Sequence, residues 1–228
     1  MIKPDECIKG HITGYDENRG VLMIEAQYTD IVTMVTREYK DVSIQLVDSR
    51  PLSAKQRRNC YAMIREISEW VGDDPEEVKD LMKIQFMESE LWDMADGMFS
   101  LSNAPMSLVA AFQSFLANFI VKHNIPTKKA MLEYVDDIEA YVYACTVTKK
   151  CVVCGLFADL HHHTPIGVGA NRKEMIHEGL PVMPLCRKHH QEAHQKGQKE
   201  FDEYYHLVPI IADKTICKLY NLKAKKEN

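Results

Sequence analysis

Residues 151–194 read CVVCGLFADLHHHTPIGVGANRKEMIHEGLPVMPLCRKHHQEAH and hold three of the chain's seven cysteines and seven of its ten histidines. Cys151 and Cys154 stand two residues apart, with Gly155 allowing the chain to fold back after them. Cys186 and His189 repeat the spacing as C-x-x-H. Two closely spaced pairs of thiolate and imidazole ligands suit a tetrahedral Zn²⁺. Buried free cysteines would leave that paired spacing unexplained. Between the pairs runs Asp159-Leu-His-His-His163-Thr-Pro165, and after the second pair come His190 and His194. On a helix those two are i and i+4, so both imidazoles project from one face and can grip one ion. One histidine of the 161–163 run completes an all-imidazole site, separate from the zinc, with coordination positions open to phosphate and water. Taken singly, the triplet reads as a solvated loop and the helical pair as surface residues. Placed together around a zinc staple, they read as a site.

Outward from this stretch, the rest of the chain bounds the answer. Its 228 residues allow one large domain or two small ones, and a hydrophobic fraction of 46% is ample for a core. No run of 18 apolar residues offers a membrane span, and MIKPDECIKGH has no apolar segment of a signal peptide. A cytoplasmic protein is expected, without membrane partners. Seven cysteines argue against a disulfide framework, and Cys7, Cys60, Cys145 and Cys217 read as small buried residues. Residues 1–145 hold 15 Lys and Arg against 24 Asp and Glu, a net of −9; residues 146–228 hold 13 against 9, a net of +4. Only the second half suits a polyanion.

Towards the N-terminus, residues 6–26 predict two strands around the turn DENRG, and VSIQLV at 42–47 a third. Ser53 is a plausible N-cap for a helix ending at Val71 before Gly72. Asp74-Pro75 opens a second helix in the usual N-cap and first-turn positions. A third covers about 105–123 and stops before Pro126, and a fourth is expected from Thr127 to about Cys145. The tail KAKKEN is expected to fray.

The order C-x-x-C, L-H-H-x-x-P, C-x-x-H-H-x-x-x-H resembles the zinc-bearing branch of the HNH endonuclease family, with its ββα-metal fold, as in phage HNHc nucleases. The resemblance implies that His161, His190 and His194 hold a catalytic Mg²⁺, Mn²⁺ or Ni²⁺. It makes His162 the general base, and Cys151, Cys154, Cys186 and His189 the ligands of a structural Zn²⁺. His163 is a third histidine without a role, so the choice within 161–163 stays open. One departure stands out: the position of the family's middle Asn, nine residues before His190, is Pro181. Either a backbone carbonyl or another side chain orients the base, or the module is impaired. Asn171, Arg172 and Lys173, in a Gly-rich loop, could hold DNA phosphates or form a plain surface loop.

Residues 50–72, RPLSAKQRRNCYAMIREISEWVG, together with FSLSNAP at 99–105, resemble the phage Orf (NinB) recombination-mediator family. That resemblance implies a DNA-binding domain acting beside single-strand-binding protein as a homodimer, with Lys55, Arg57 and Arg58 as a DNA-facing patch. The expectation is thus an α+β chain in three parts. Residues 1–126 form a mixed α/β recombination domain with three or more strands, 127–147 a linker helix, and 148–228 the HNH module. Its function would be metal-dependent phosphodiester hydrolysis of DNA in recombination or replication. The alternative is a non-catalytic DNA-binding mediator whose HNH module is only a zinc-stapled clamp.

Overall fold

The structure, a computed structural model, describes residues 8, 10–38, 40, 42, 44, 46, 48–89, 98–163 and 175–225. The chain forms two compact units, Met1–Leu46 and Val47–Asn228.

The first unit holds an antiparallel hairpin, β1 (Gly10–Asp16) and β2 (Val21–Ala26), with a register shift between Ile12 and Gly14. The Asp16 carboxylate accepts from the N–H groups of Asn18 and Arg19, and Gly20 takes φ +61°, so the polar turn closes as its residues dictate. A short helix, α1 (Ile31–Thr36), follows, capped by Asp30. The third strand expected at 42–47 lies half outside the described residues; positions 42, 44 and 46 carry no regular structure.

In the second unit, α2 (Ala54–Val71) starts in a capping box: Ser53 accepts from the Gln56 N–H, and the Gln56 side chain accepts from the Ser53 N–H. It ends at Gly72, whose φ of +88° is a left-handed cap. Next come α3 (Pro75–Ser89) and α4 (Met106–His123). Phe86 on α3 and Phe112 on α4 meet edge-on at 5.4 Å between ring centroids, and both are buried.

The helix expected from Thr127 onward does not begin there. Residues 131–133 make one 3₁₀ turn, and the helix, α5 (Ile138–Val147), starts only at the Asp137 cap. The cause is competition for the backbone. The Lys128 N–H is taken by the Glu66 carboxylate, and the carbonyls of Glu133 and Tyr134 by the Asn59 side chain. Gln113 also donates to the Tyr134 carbonyl.

Beyond α5 lie β3 (Asp159–His162), β4 (Pro181–Leu185), α6 (Arg187–Lys196), α7 (Gln198–Tyr205), β5 (Ile210–Ile211) and α8 (Lys214–Leu219). The strands pair antiparallel in the order β3-β4-β5, with His161 opposite Met183 and His162 opposite Val182. α5 packs on α4 on one side and on β4 on the other. One buried apolar cluster therefore runs from Leu52 to Cys217 through the whole second unit. The tail is also tied: the Lys223 carbonyl accepts from the His177 N–H, and the Lys225 N–H donates to Glu178. Its expected fraying does not extend to these two residues. Among the described residues no helix is long and apolar enough to cross a membrane.

Candidate functional site

The turn carrying Cys151 and Cys154 closes with the Gly155 N–H donating to the Cys151 carbonyl at 2.8 Å, and Gly155 at φ +71°. The Val152 N–H donates to the Pro184 carbonyl, which fixes this turn against β4. Cys186 is the N-cap of α6 and His189 lies in its first turn, so the second ligand pair comes from the strand-to-helix junction. The donor atoms of Cys151, Cys154, Cys186 and His189 all lie within 4.8 Å of one another. The Cys154 and Cys186 sulfurs are 3.7 Å apart, and His189 Nδ1 is 3.3 Å from the sulfurs of both Cys151 and Cys186. A tetrahedral Zn²⁺ with Zn–S bonds of about 2.3 Å would set S···S edges of about 3.8 Å, so this Cys₃His set can hold a zinc-like ion. Burial pushes the Cys151 thiol up to about 12. Burial would raise Cys186 too, but the His189 N–H and the neighbouring thiols hold it below the usual thiol range. Cys60, Cys145 and Cys217 are buried, as small core residues should be, while Cys7 lies outside the described residues.

Neighbouring positions on a helix point about 100° apart. His189 therefore faces the thiols while His190 and His194 face β3. The donor atoms of His161, His190 and His194 fall within 4.8 Å of one another. Their ring centroids stand 4.7 Å (161 to 190), 5.3 Å (161 to 194) and 4.6 Å (190 to 194) apart. His161 is buried, and burial, then the neighbouring His190 and His194, hold its pKa below the usual histidine range. A neutral imidazole keeps its lone pair available to an ion. His190 is half-buried and His194 exposed, so the cluster opens to solvent on one side.

Alternation along β3 separates the three consecutive histidines. His161 and His163 turn toward α7. His161 Nε2 is 2.7 Å from Gln198 Oε1, Gln198 Nε2 donates to Asp202 at 2.8 Å, and His163 Nε2 is 2.5 Å from Asp202 Oδ2. His162 turns the other way, its Nε2 2.8 Å from Nδ1 of the buried His177. Both rings line a cavity of about 460 Å³ with Leu160, Tyr220 and Lys223.

Three of these residues escaped the sequence reading. His177 has no partner within motif spacing, and Gln198 and Asp202 belong to none of the motifs. The i, i+4 spacing of Gln198 and Asp202 was the one available signal. Of the proposed DNA-facing residues, Lys55 pairs with Asp136 at 3.1 Å, Arg57 donates to the Ser102 carbonyl at 2.7 Å, and Arg58 is exposed. Asn171, Arg172 and Lys173 lie outside the described residues.

An antiparallel strand pair followed by a helix thus carries two groups of side chains that could each hold a metal ion, the Cys₃His cluster and the trio of imidazoles. The family model described as "Putative HNHc nuclease" matches residues 23–223, and the chain belongs to this HNH nuclease family. The match extends through the helical layer as well as the Cys- and His-rich stretch. The chain is also similar to Uncharacterized protein YdfU of Escherichia coli (strain K12), at 39% identity over 64 residues. That stretch is 28% of this chain and 18% of YdfU, so the chain covers under a fifth of that relative's length. No solved structure matches.

Proposed function

We propose that the protein is a metal-dependent DNA endonuclease with β3, β4 and α6 as a ββα-metal unit. The carrying observation is the convergence of His161, from a strand, with His190 and His194, from a helix, to within 4.8 Å beside a separate Cys₃His cluster. In this reading Cys151, Cys154, Cys186 and His189 hold a structural zinc, which locks the start of α6 to the turn before β3. His161, His190 and His194 hold the catalytic ion, Mg²⁺, Mn²⁺ or Ni²⁺. When bound, that ion supplies charge neutralisation at the scissile phosphate and its departing oxygen. His162 accepts the proton of a water whose oxygen attacks phosphorus in line, as the bond to the 3′ oxygen breaks. His161 is read as a ligand because its ring stands beside those of His190 and His194. Asn171, Arg172 and Lys173, with Lys55, Arg57 and Arg58, are proposed to meet DNA phosphates. The substrate is proposed to be a recombination or replication intermediate of phage type, on the resemblance of residues 50–72 to the Orf (NinB) family. Single-strand-binding protein and a second copy of the chain would be partners on the same ground, and residues 1–126, 127–147 and 148–228 the functional divisions.

A second reading has one observation in its favour, Pro181 at the position of the family's Asn. It takes the module as a DNA clamp without turnover. Incubating the full chain with single-stranded, duplex and branched DNA under Mg²⁺, Mn²⁺ or Ni²⁺ separates the two. Cleavage that a chelator stops supports the nuclease. DNA that is bound and left intact under every ion supports the clamp.

A further inference from the structure

We propose that the hairpin carrying Cys151 and Cys154 binds an unpaired DNA strand: Leu156 and Phe157 at its tip take bases, and Lys128, Lys129 and Lys150 around the adjoining groove take phosphates. The inference rests on the reading of the chain as a DNA endonuclease, and it names the surface and the form of strand that surface takes.

Leu156 and Phe157 are consecutive, and they are 66% and 73% exposed. Single exposed apolar side chains are ordinary on a surface, but this pair stands together on a closed, hydrogen-bonded hairpin. The Cys151 N–H donates to the Leu156 carbonyl at 2.7 Å, and the Ala158 N–H to the Lys149 carbonyl at 2.9 Å. Phe157 is the antiparallel bridge partner of Lys150, and partners directly opposite each other share a face. The hairpin thus holds a large ring and an ammonium group on one side, the combination that accepts a base and its phosphate. Base faces are covered in a duplex and open in a single strand, so the ring selects the unpaired form.

Leu156 also lines a groove of about 540 Å³ between this hairpin and the segment after α4. Its apolar lining includes Ile125, Met131 and Val153, and its charged lining is Lys128, Lys129 and Lys150. Among the described residues no carboxylate lines it. Lys128 pairs with Glu69 at 2.6 Å and Lys129 with Glu133 at 3.8 Å, in both cases with solvent around the pair. Exposed pairs of this kind are weak, so a phosphate can draw either lysine over. A protein surface would also cover two apolar side chains, but three lysines without a carboxylate favour a polyanion. The tip also leads toward the imidazole cluster, because β3 begins at Asp159 and carries His161. At 3.3 Å per residue of extended chain, Phe157 and His161 are about 13 Å apart.

The test uses the full chain with fluorescently labelled oligothymidylate and a duplex of equal length, without added divalent ion, so that binding is read apart from cleavage. Phe157→Ala should weaken single-strand binding by about 10-fold or more, the range for loss of one stacked base, with a smaller effect on the duplex. Leu156→Ala should act in the same direction. Lys150→Gln should reduce the slope of log affinity against log salt by about 0.7, the share of one phosphate contact on a single strand. Phe157→Trp should keep the affinity, and the fluorescence it adds should be quenched as the strand binds. Helical circular dichroism and metal content at the Cys₃His cluster should match wild type in every variant. If wild type binds DNA and Phe157→Ala binds it equally well, the proposal is overturned and the nuclease reading stands. Lost affinity that comes with lost metal or helix assigns Phe157 to the fold and overturns it too. Altered self-association with DNA affinity kept makes the tip a protein interface, with the same result. A wild type that binds single strands through Phe157 yet cuts nothing supports the proposal and removes the nuclease reading. A wild type that binds no DNA removes both.

Discussion

Each histidine of the 161–163 run has a different neighbour, and the neighbour decides what the ring can do. His161 has two imidazoles and the Gln198 amide, His162 has His177, and His163 has the Asp202 carboxylate. Gln198 links the first and last of these, since its amide also donates to Asp202. Groups that hold a ligand's second nitrogen fix its tautomer and ring orientation. Gln198→Ala should therefore weaken the divalent ion at the His161 cluster by roughly 10- to 100-fold. Calorimetric titration with Mn²⁺ would measure this, and metal content at the Cys₃His cluster should stay at the wild-type level. The Cys₃His grouping and the His190/His194 pair could be read from sequence because their members come at fixed spacing, while the choice of His161 within the 161–163 run could not. His177, Gln198 and Asp202 could not. Their roles depend on strand register and on where a turn and a helix are packed, and no local spacing encodes those.

Among the elements, caps were legible and the 127–137 segment was not. Ser53 and Gln56 form the reciprocal box their spacing predicts, and Gly72 supplies the left-handed end. Ser53→Ala should lower stability by about 1 kcal/mol, and denaturant melts of the full chain would read it. The 127–137 stretch has helical periodicity, yet its backbone is captured by partners distant in sequence: Glu66, Asn59 and Gln113. Glu66 is the most heavily used, since its buried carboxylate also accepts from the Tyr134 hydroxyl at 3.0 Å. Burial, then Glu66, pushes the Tyr134 hydroxyl up to about 12, so it stays a donor. Glu66→Leu should strand that hydroxyl, while the N–H of the exposed Lys128 can turn to water. An unsatisfied buried donor costs about 1–3 kcal/mol, so the variant should melt well below wild type, whereas Tyr134→Phe should lose only about 1 kcal/mol.

Across the whole molecule, the charge asymmetry pointed to two halves, and the core joins what the charges divide. The buried cluster passes from the helices through α5 into the β3-β4-β5 sheet without a break. Zinc binding is folding free energy for the segments that share its ligands. Removing it, by chelation or by Cys154→Ser, should therefore lower the melting temperature seen by a helical probe as well as one in the Cys- and His-rich module. Helical melting that ignores zinc would mean the halves fold independently. The positive balance of residues 146–228 also predicts DNA affinity that falls steeply with salt, as phosphate contacts release counterions. The most direct test of the account is DNA cleavage by His162→Ala and His190→Ala across a Mn²⁺ titration. Both variants should be slow at low metal. Excess Mn²⁺ should partly restore His190→Ala, while His162→Ala should stay about 10²–10⁴-fold down at every concentration, the range for loss of a general base. Rescue of His162→Ala but not His190→Ala, or a wild type that cuts nothing under any ion, would contradict the account.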